Sequence, residues 1–190
     1  MTENEILLYS FVIIFLVDSY IGLYISRKYG AKIVGWPTAI RTRDYTLFLL
    51  AVPQTFIIFN VVMVLYTGIY NLLSVLIGFI VMFIGMGFNL IVRVNLGKNW
   101  VPLSKTTENQ ELVTDGIYSK VRHPFYLSLL ILFGGITIIS WNMYGLLFYI
   151  LLLISIRIRI IKEENELITK FKEKYENYIK ETPMLIPKLK

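Results

Sequence analysis

Five long apolar runs dominate this sequence of 190 residues and restrict what the chain can fold into. They cover residues 6–25, 45–66, 69–92, 124–140 and 143–161. A helix needs about 20 apolar residues to cross the hydrocarbon core of a bilayer. Because 56% of the chain is apolar and only 17% is charged, the sequence predicts an all-α integral membrane protein, a bundle of about five transmembrane helices.

The connections between these runs predict how the helices pair. Thr67–Gly68 and Trp141–Asn142 leave room only for tight turns, so the runs on either side of each are expected to form antiparallel hairpins. The fifth run reaches spanning length only if Arg157 and Arg159 extend to the interface or line a wet crevice. Asp18, inside the first run, is expected to interact with a neighbouring helix.

The distribution of basic residues predicts the orientation in the membrane. All 19 Lys and Arg lie in three segments, with five between residues 26 and 44, five between 93 and 123, and nine from 157 onward. The positive-inside rule then places the N-terminus outside and the C-terminus in the cytoplasm. The net charge of +6 would face anionic lipid headgroups, which accounts for it without a nucleic acid partner.

The residue types that are missing exclude several chemistries. The chain has no cysteine and one histidine, His123. A thiolate nucleophile, an Fe–S cluster and a zinc–thiolate site are therefore excluded, and no histidine cluster is available for a transition metal. We expect no metal, which leaves an organic cofactor or none.

The densest polar segment, residues 110–126, leads into the fourth run. Pro124 suits the first position of a helix and favours His123 as the N-cap residue. Such a helix start can bind hydroxyl groups or an anion, with Tyr118 and Tyr126 as flat faces beside it. Residues 110–113 can run extended and offer backbone groups to an adenine edge. The alternative is an ordinary helix start at the membrane boundary with interfacial Arg and Tyr side chains.

A second polar group follows the fifth run. Arg159 and Glu163 are four residues apart and share a helix face that points inward, with Glu164 next to them. An inward pair at the membrane boundary is a candidate functional site, and the alternative is a simple intrahelical ion pair.

The C-terminal tail has the pattern of a cytoplasmic amphipathic helix that continues the fifth span and ends before Pro183. Its apolar face comprises Leu167, Ile168, Phe171, Tyr175, Tyr178 and Ile179.

An ordered set of motifs in the second half of the chain resembles a known superfamily. The motifs are Leu96-Gly97-x-x-Trp100, Leu112-Val113-x-x-Gly116-x-Tyr118, Arg122-His123-Pro124-x-Tyr126, Glu163-Glu164, Tyr175-x-x-Tyr178 and a late Pro187. Together they resemble the isoprenylcysteine carboxyl methyltransferase and phospholipid methyltransferase superfamily. The resemblance covers residues 93–187, about half of the chain.

The resemblance implies a methyl donor, S-adenosylmethionine, held on the cytoplasmic side by the second half of one membrane domain. Residues 1–92 would form three spans, and residues 93–190 the cofactor-binding and catalytic half. The cofactor contacts implied by the resemblance are Gln110, Glu111, Leu112, Val113, Tyr118, His123, Pro124, Phe125, Tyr126, Arg159 and Glu163. Leu103 stands where some eukaryotic members have a glutamine.

Methyl transfer agrees with the residue chemistry, because a sulfonium donor needs neither a metal nor a thiol. Arg159 is a candidate partner for the donor's carboxylate, Glu163 for its ammonium group or a ribose hydroxyl, and Arg93 and Arg122 for orienting an anionic acceptor.

We expect a methyltransferase for a lipophilic acceptor embedded in the lipid bilayer, with carboxyl O-methylation of an isoprenylcysteine-like small molecule or prenylated peptide favoured. The alternatives are a phospholipid N-methyltransferase, an NADPH-dependent enzyme of the steroid-reductase type, and a non-catalytic membrane subunit.

Overall fold

The computed structural model describes residues 1–28, 44–99 and 111–187, and the described chain is helical. Within these described ranges, six α-helices follow one another, together with the one-turn 3₁₀ helices Gly97–Asn99 and Gly116–Ser119. The α-helices are α1 (Glu3–Lys28), α2 (Tyr45–Thr67), α3 (Leu72–Leu96), α4 (Pro124–Ser140), α5 (Met143–Phe171) and α6 (Glu173–Glu181). The predicted all-α class is confirmed.

The lengths and compositions of these helices fit a membrane. Among the described residues, four helices, α1, α2, α3 and α5, are long and apolar enough to cross a bilayer. Helix α4 is apolar as well, but with 17 residues it is shorter. The exact number of spans, about five in the sequence-based expectation, therefore stays a prediction.

Local side-chain chemistry explains where the helices start and stop. Asn71 and Asn142 cap α3 and α5, because their side-chain oxygens accept the N–H groups of Ser74 and Gly145. The cap at Asn71 makes α3 begin at Leu72, three residues later than the apolar run. Helix α2 ends at Thr67, and its C-cap residue Gly68 has a φ of 73°, in the left-handed region that favours glycine.

The fifth predicted span and the tail differ from the expected single helix. Helix α5 continues without a break for 29 residues, so Arg159 and Glu163 lie on the same helix. It ends at Phe171, its C-cap residue Lys172 has a left-handed φ of 51°, and α6 starts at Glu173. This break separates Tyr175 and Tyr178 from the apolar face of α5, and both tyrosines are buried.

Close packing of α3 against α4 fixes the relative position of their polar ends. A Cβ atom at Gly85 would overlap the backbone of Leu132, and one at Gly135 would overlap the backbone of Met82. A Cβ at Gly87, in contrast, would meet no atom within 4 Å. Small residues at a helix interface permit this close approach.

Candidate functional site

The start of α4 is held by the C-terminal segment. His123 is the N-cap residue and Pro124 the first helical residue, as the sequence predicts. The backbone N–H groups of Arg122 and His123 donate to the carbonyl oxygens of Pro183 and Met184, at 2.9 and 3.0 Å. The segment that follows α6 therefore lies against the polar end of α4.

A cluster around Glu164 strengthens this connection. Arg122 donates from Nε and Nη2 to Glu164 Oε1, at 3.0 and 2.8 Å, and His123 Nε2 lies 3.0 Å from the same oxygen. Nη1 of Arg122 also donates to the carbonyl oxygens of Ile179 and Thr182. The side chains of Arg122 and Glu164 are only 7% and 14% exposed. These contacts favour a role for Arg122 in fixing the C-terminal segment.

Arg159 and Glu163 are linked through a tyrosine. The hydroxyl of Tyr126 donates to Glu163 Oε2 at 2.6 Å and accepts from Arg159 Nε at 2.9 Å. The guanidinium lies deep, since Arg159 is 4% exposed, whereas Glu163 is half-buried. The structure thus brings together three residues that the sequence analysis selected from α4 and α5, with Glu163 the most accessible of them.

Two residues at the start of α2 complete this group, and sequence reasoning did not find them. Arg159 Nη1 donates to Thr46 Oγ1 at 2.7 Å and lies 3.6 Å from Asp44 Oδ2. Lys162 Nζ lies 2.8 Å from Asp44 Oδ1. In the sequence, Asp44 stands out only as an acidic residue in a basic segment, directly before an apolar run. An acidic residue is common at the start of a helix, so this position alone does not indicate a functional site.

Three buried tyrosines, Tyr118 before α4 and Tyr175 and Tyr178 on α6, lie close to the charged side chains of this site. Burial raises the pKa of Tyr178 to about 12, although the nearby positive charge of Arg122 lowers it. The Tyr178 hydroxyl donates to the carbonyl oxygen of Tyr118. Burial, and then the nearby carboxylates, raise the pKa of Tyr118 and Tyr175 well above the usual value. All three phenols therefore stay protonated at neutral pH. The hydroxyl of Tyr175 is buried and has no hydrogen-bond partner among the described residues.

The segment expected to contact an adenine ring is described in part. Gln110 lies outside the described residues, as do Trp100 and Leu103. The backbone N–H of Glu111 donates to Asn99 Oδ1 at 3.0 Å. Leu112 and Val113 follow as half-buried residues in neither helix nor strand.

Arg93 lies in different surroundings, at the end of α3. Its Nε donates to Asn89 Oδ1 at 2.6 Å, and its guanidinium carbon lies 5.3 Å from the centre of the Phe125 ring. A Cβ at Gly22 of α1 would be 3.5 Å from that carbon. Asp18 lies on α1 four residues before Gly22, so it is on the helix face that approaches Arg93, and its pairing with a neighbouring helix stays a prediction.

The adjacent rings of Phe125 and Tyr126 each contact a charged side chain. Their centroids are 5.8 Å apart; Arg93 contacts the first ring, and Glu163 contacts the hydroxyl of the second. The site therefore combines an arginine at one of two adjacent aromatic rings with a carboxylate at the other. Within the described ranges, no group of three His, Asp or Glu side chains is arranged to hold a metal ion.

The fold and this polar site define a helical membrane protein with a charged cluster at the ends of its spans, and comparison with known proteins identifies its family. The family model described as phospholipid methyltransferase matches residues 73–174, just over half of the chain. The protein belongs to the phospholipid methyltransferase family.

Two individual proteins, one compared by sequence and one by structure, are also similar to this chain. Protein-S-isoprenylcysteine O-methyltransferase of Schizosaccharomyces pombe (strain 972 / ATCC 24843) is 40% identical over 85 residues, which cover 44% of this chain and 36% of the relative. A solved structure of the eukaryotic intramembrane Ras methyltransferase, isoprenylcysteine carboxyl methyltransferase, matches 82% of this chain and 54% of its own, with a TM-score of 0.55 and 22% identity. This structural likeness establishes the fold. With the apolar helices, it indicates a multi-pass membrane protein.

Proposed function

We propose that this protein transfers a methyl group from S-adenosylmethionine to a lipophilic acceptor that enters the site from the bilayer. The observation that carries this proposal is the linked group of Glu163, Tyr126 and Arg159, all within the segment that matches the family model. The names of the two relatives support a carboxyl group on an isoprenylcysteine-like molecule or prenylated peptide as the acceptor. They also favour a methyl donor over NADPH.

The residues present fit such a donor. Its sulfonium and ammonium groups are cations, which a carboxylate and the faces of aromatic rings can bind. Its ribose hydroxyl groups can form hydrogen bonds with buried polar side chains. Glu163 is half-buried beside Tyr118, Tyr126 and Tyr175, and the buried Tyr175 hydroxyl has no partner among the described residues. When bound, S-adenosylmethionine supplies an activated methyl group for in-line displacement.

Each proposed role of a side chain follows from its position. Glu163 binds the ammonium group or a ribose hydroxyl, because it is the accessible member of its group. Arg159 holds Tyr126 and supplies positive potential for the donor's carboxylate. The remaining proposed contacts, which orient the adenosine portion and exclude water, are Gln110, Glu111, Leu112, Val113, Tyr118, His123, Pro124 and Phe125.

Arg93 is the proposed partner of an anionic acceptor. Its guanidinium contacts Phe125, whose ring is adjacent to that of Tyr126, and the Tyr126 hydroxyl donates to Glu163. An acceptor bound at Arg93 and a donor at Glu163 would therefore meet near the two rings. Arg122, the other arginine considered for this role, is engaged with Glu164 and two backbone carbonyls. The acceptor proposal therefore rests on Arg93.

The pH dependence of methyl transfer tests the reaction and the acceptor class together. A carboxylate with a pKa of about 4 is ionised throughout the range from about pH 6 to 8.5, whereas an ammonium group must first lose a proton. We expect transfer of labelled methyl into a farnesylcysteine analogue at a rate that is nearly flat over this range with saturating donor. Transfer only into phosphatidylethanolamine, rising about tenfold per pH unit, would contradict a carboxylate acceptor, and no transfer into either would contradict the proposed reaction.

We also propose that the N-terminus lies outside and the site faces the cytoplasm, in line with the distribution of basic residues. Single cysteines in this cysteine-free chain provide the test. Ile69→Cys and Met143→Cys, at positions 78% and 76% exposed, should react with an impermeant maleimide added outside intact cells, and Lys120→Cys should react only after permeabilisation. Gly68 is unsuitable, because a Cβ there would overlap Asn4. Outside labelling at position 120 would reverse the proposed orientation.

A further inference from the structure

Asp44 is a fully buried carboxylate that the proposed reaction does not use. It precedes α2, outside the segment 73–174 that matches the family model. Its side chain is 0% exposed, and its Oδ1 lies 2.8 Å from Lys162 Nζ and 2.5 Å from Thr46 Oγ1. A buried charge is costly unless opposite charges and hydrogen bonds are held close to it. Asp44 is therefore paired with two basic side chains of α5, Arg159 and Lys162.

The guanidinium of Arg159 is held at two edges by different helices. On one edge, Nη1 donates to Thr46 Oγ1 at 2.7 Å and lies 3.6 Å from Asp44 Oδ2. On the other, Nε donates to the Tyr126 hydroxyl at 2.9 Å. Because the guanidinium is planar and its donors have a fixed geometry, contacts at both edges determine its plane. The orientation of this plane determines the direction in which Arg159 Nε donates to the Tyr126 hydroxyl.

We propose that Asp44, together with Thr46, is a positioning residue for the methyl-donor site. Asp44 fixes Arg159, Arg159 fixes the hydroxyl of Tyr126, and that hydroxyl fixes Glu163. This inference rests on the proposed function, since it takes Glu163 to be a donor contact. It gives the first half of the chain a part in a site whose recognised motifs all lie in the second half.

Asp44→Asn tests the proposal, because asparagine has nearly the same shape and can still accept hydrogen bonds. We expect the dissociation constant for S-adenosylhomocysteine and the KM for the donor to rise about tenfold, the scale for weakening a charge-assisted contact. The kcat at saturating donor should change less than about twofold, as expected when binding is lost equally in ground and transition states. A merely structural role would instead lower the folded fraction, and so the apparent kcat, without changing KM.

Asn142→Ala is the matched structural control. It removes the N-cap at the opposite end of α5, so it should lower the unfolding temperature and leave donor binding unchanged. Should Asp44→Asn fail to fold, Thr46→Val removes a single hydroxyl from the same contact. That hydroxyl donates to Asp44 and accepts from Arg159, so its removal is expected to weaken donor binding about tenfold, the scale for losing a hydrogen bond to a charged group.

A double-mutant cycle then distinguishes action through Arg159 from an independent effect. In an Arg159→Lys background, Asp44→Asn should change the dissociation constant less than about threefold, because the effects of coupled residues are not additive. Equal losses in both backgrounds, or tighter binding after removal of the negative charge, would overturn the positioning role. Normal donor binding by Asp44→Asn would contradict this inference alone, whereas a parent protein that binds no donor would overturn the proposed function as well.

Discussion

Glu163→Gln is expected to weaken the binding of S-adenosylhomocysteine about 10- to 100-fold, since a charge-assisted hydrogen bond is worth about 1.5–3 kcal/mol. The substitution keeps the side-chain shape and an oxygen that can accept the Tyr126 hydroxyl, which now donates to Glu163 at 2.6 Å. Folding should therefore be little affected. Isothermal titration calorimetry of the purified protein measures the change.

Glu166→Gln provides the control for this prediction, because it makes the same change of charge on the same helix, three residues further along. Parent-like binding by Glu163→Gln would remove Glu163 from the donor site. An equal loss in both variants would indicate a general effect of helix charge. Arg159→Lys should also weaken binding, since lysine lacks the planar fork that contacts Tyr126 and Thr46 at once.

The features that the sequence could predict are local in the chain. His123 and Pro124 are adjacent, and proline's fixed φ alone places a helix start there. The apolar runs likewise predict most helix bounds, because the length needed to cross a bilayer is set by geometry. Arg159 and Glu163 were selected together because a four-residue spacing places them on one face of a helix.

The contacts that the sequence could not predict join distant parts of the chain. Asp44 and Lys162 are 118 residues apart, and periodicity carries no information about which helices become neighbours. The same holds for Arg122 and Glu164, 42 residues apart. No glycine or proline lies at the break at Lys172, so the sequence does not predict it. It coincides with the burial of Tyr175 and Tyr178 on α6, as expected when tertiary packing overrides helix propensity.

Arg122→Met is expected to lower the free energy of unfolding by about 3 kcal/mol, the scale for breaking a buried ion pair. Glu164 would lose both arginine donors and keep only its contact with His123. The carbonyl oxygens of Ile179 and Thr182 would lose a donor at the same time. Chemical unfolding in mixed micelles measures the loss, and faster trypsin cleavage at the exposed Lys180 would locate it in the C-terminal segment.

Much of this cost comes from leaving the Glu164 charge without compensation, so it should shrink when that charge is absent. In a Glu164→Gln background, Arg122→Met is expected to cost only about 1–2 kcal/mol, because its loss then leaves uncharged acceptors and no buried carboxylate without a partner. Lys174→Met, which removes an exposed cation from α6, should change stability by less than about 0.5 kcal/mol. If Arg122→Met leaves both stability and tryptic cleavage unchanged, Arg122 does not fix the C-terminal segment. Its guanidinium would then become a candidate partner for the acceptor, alongside Arg93.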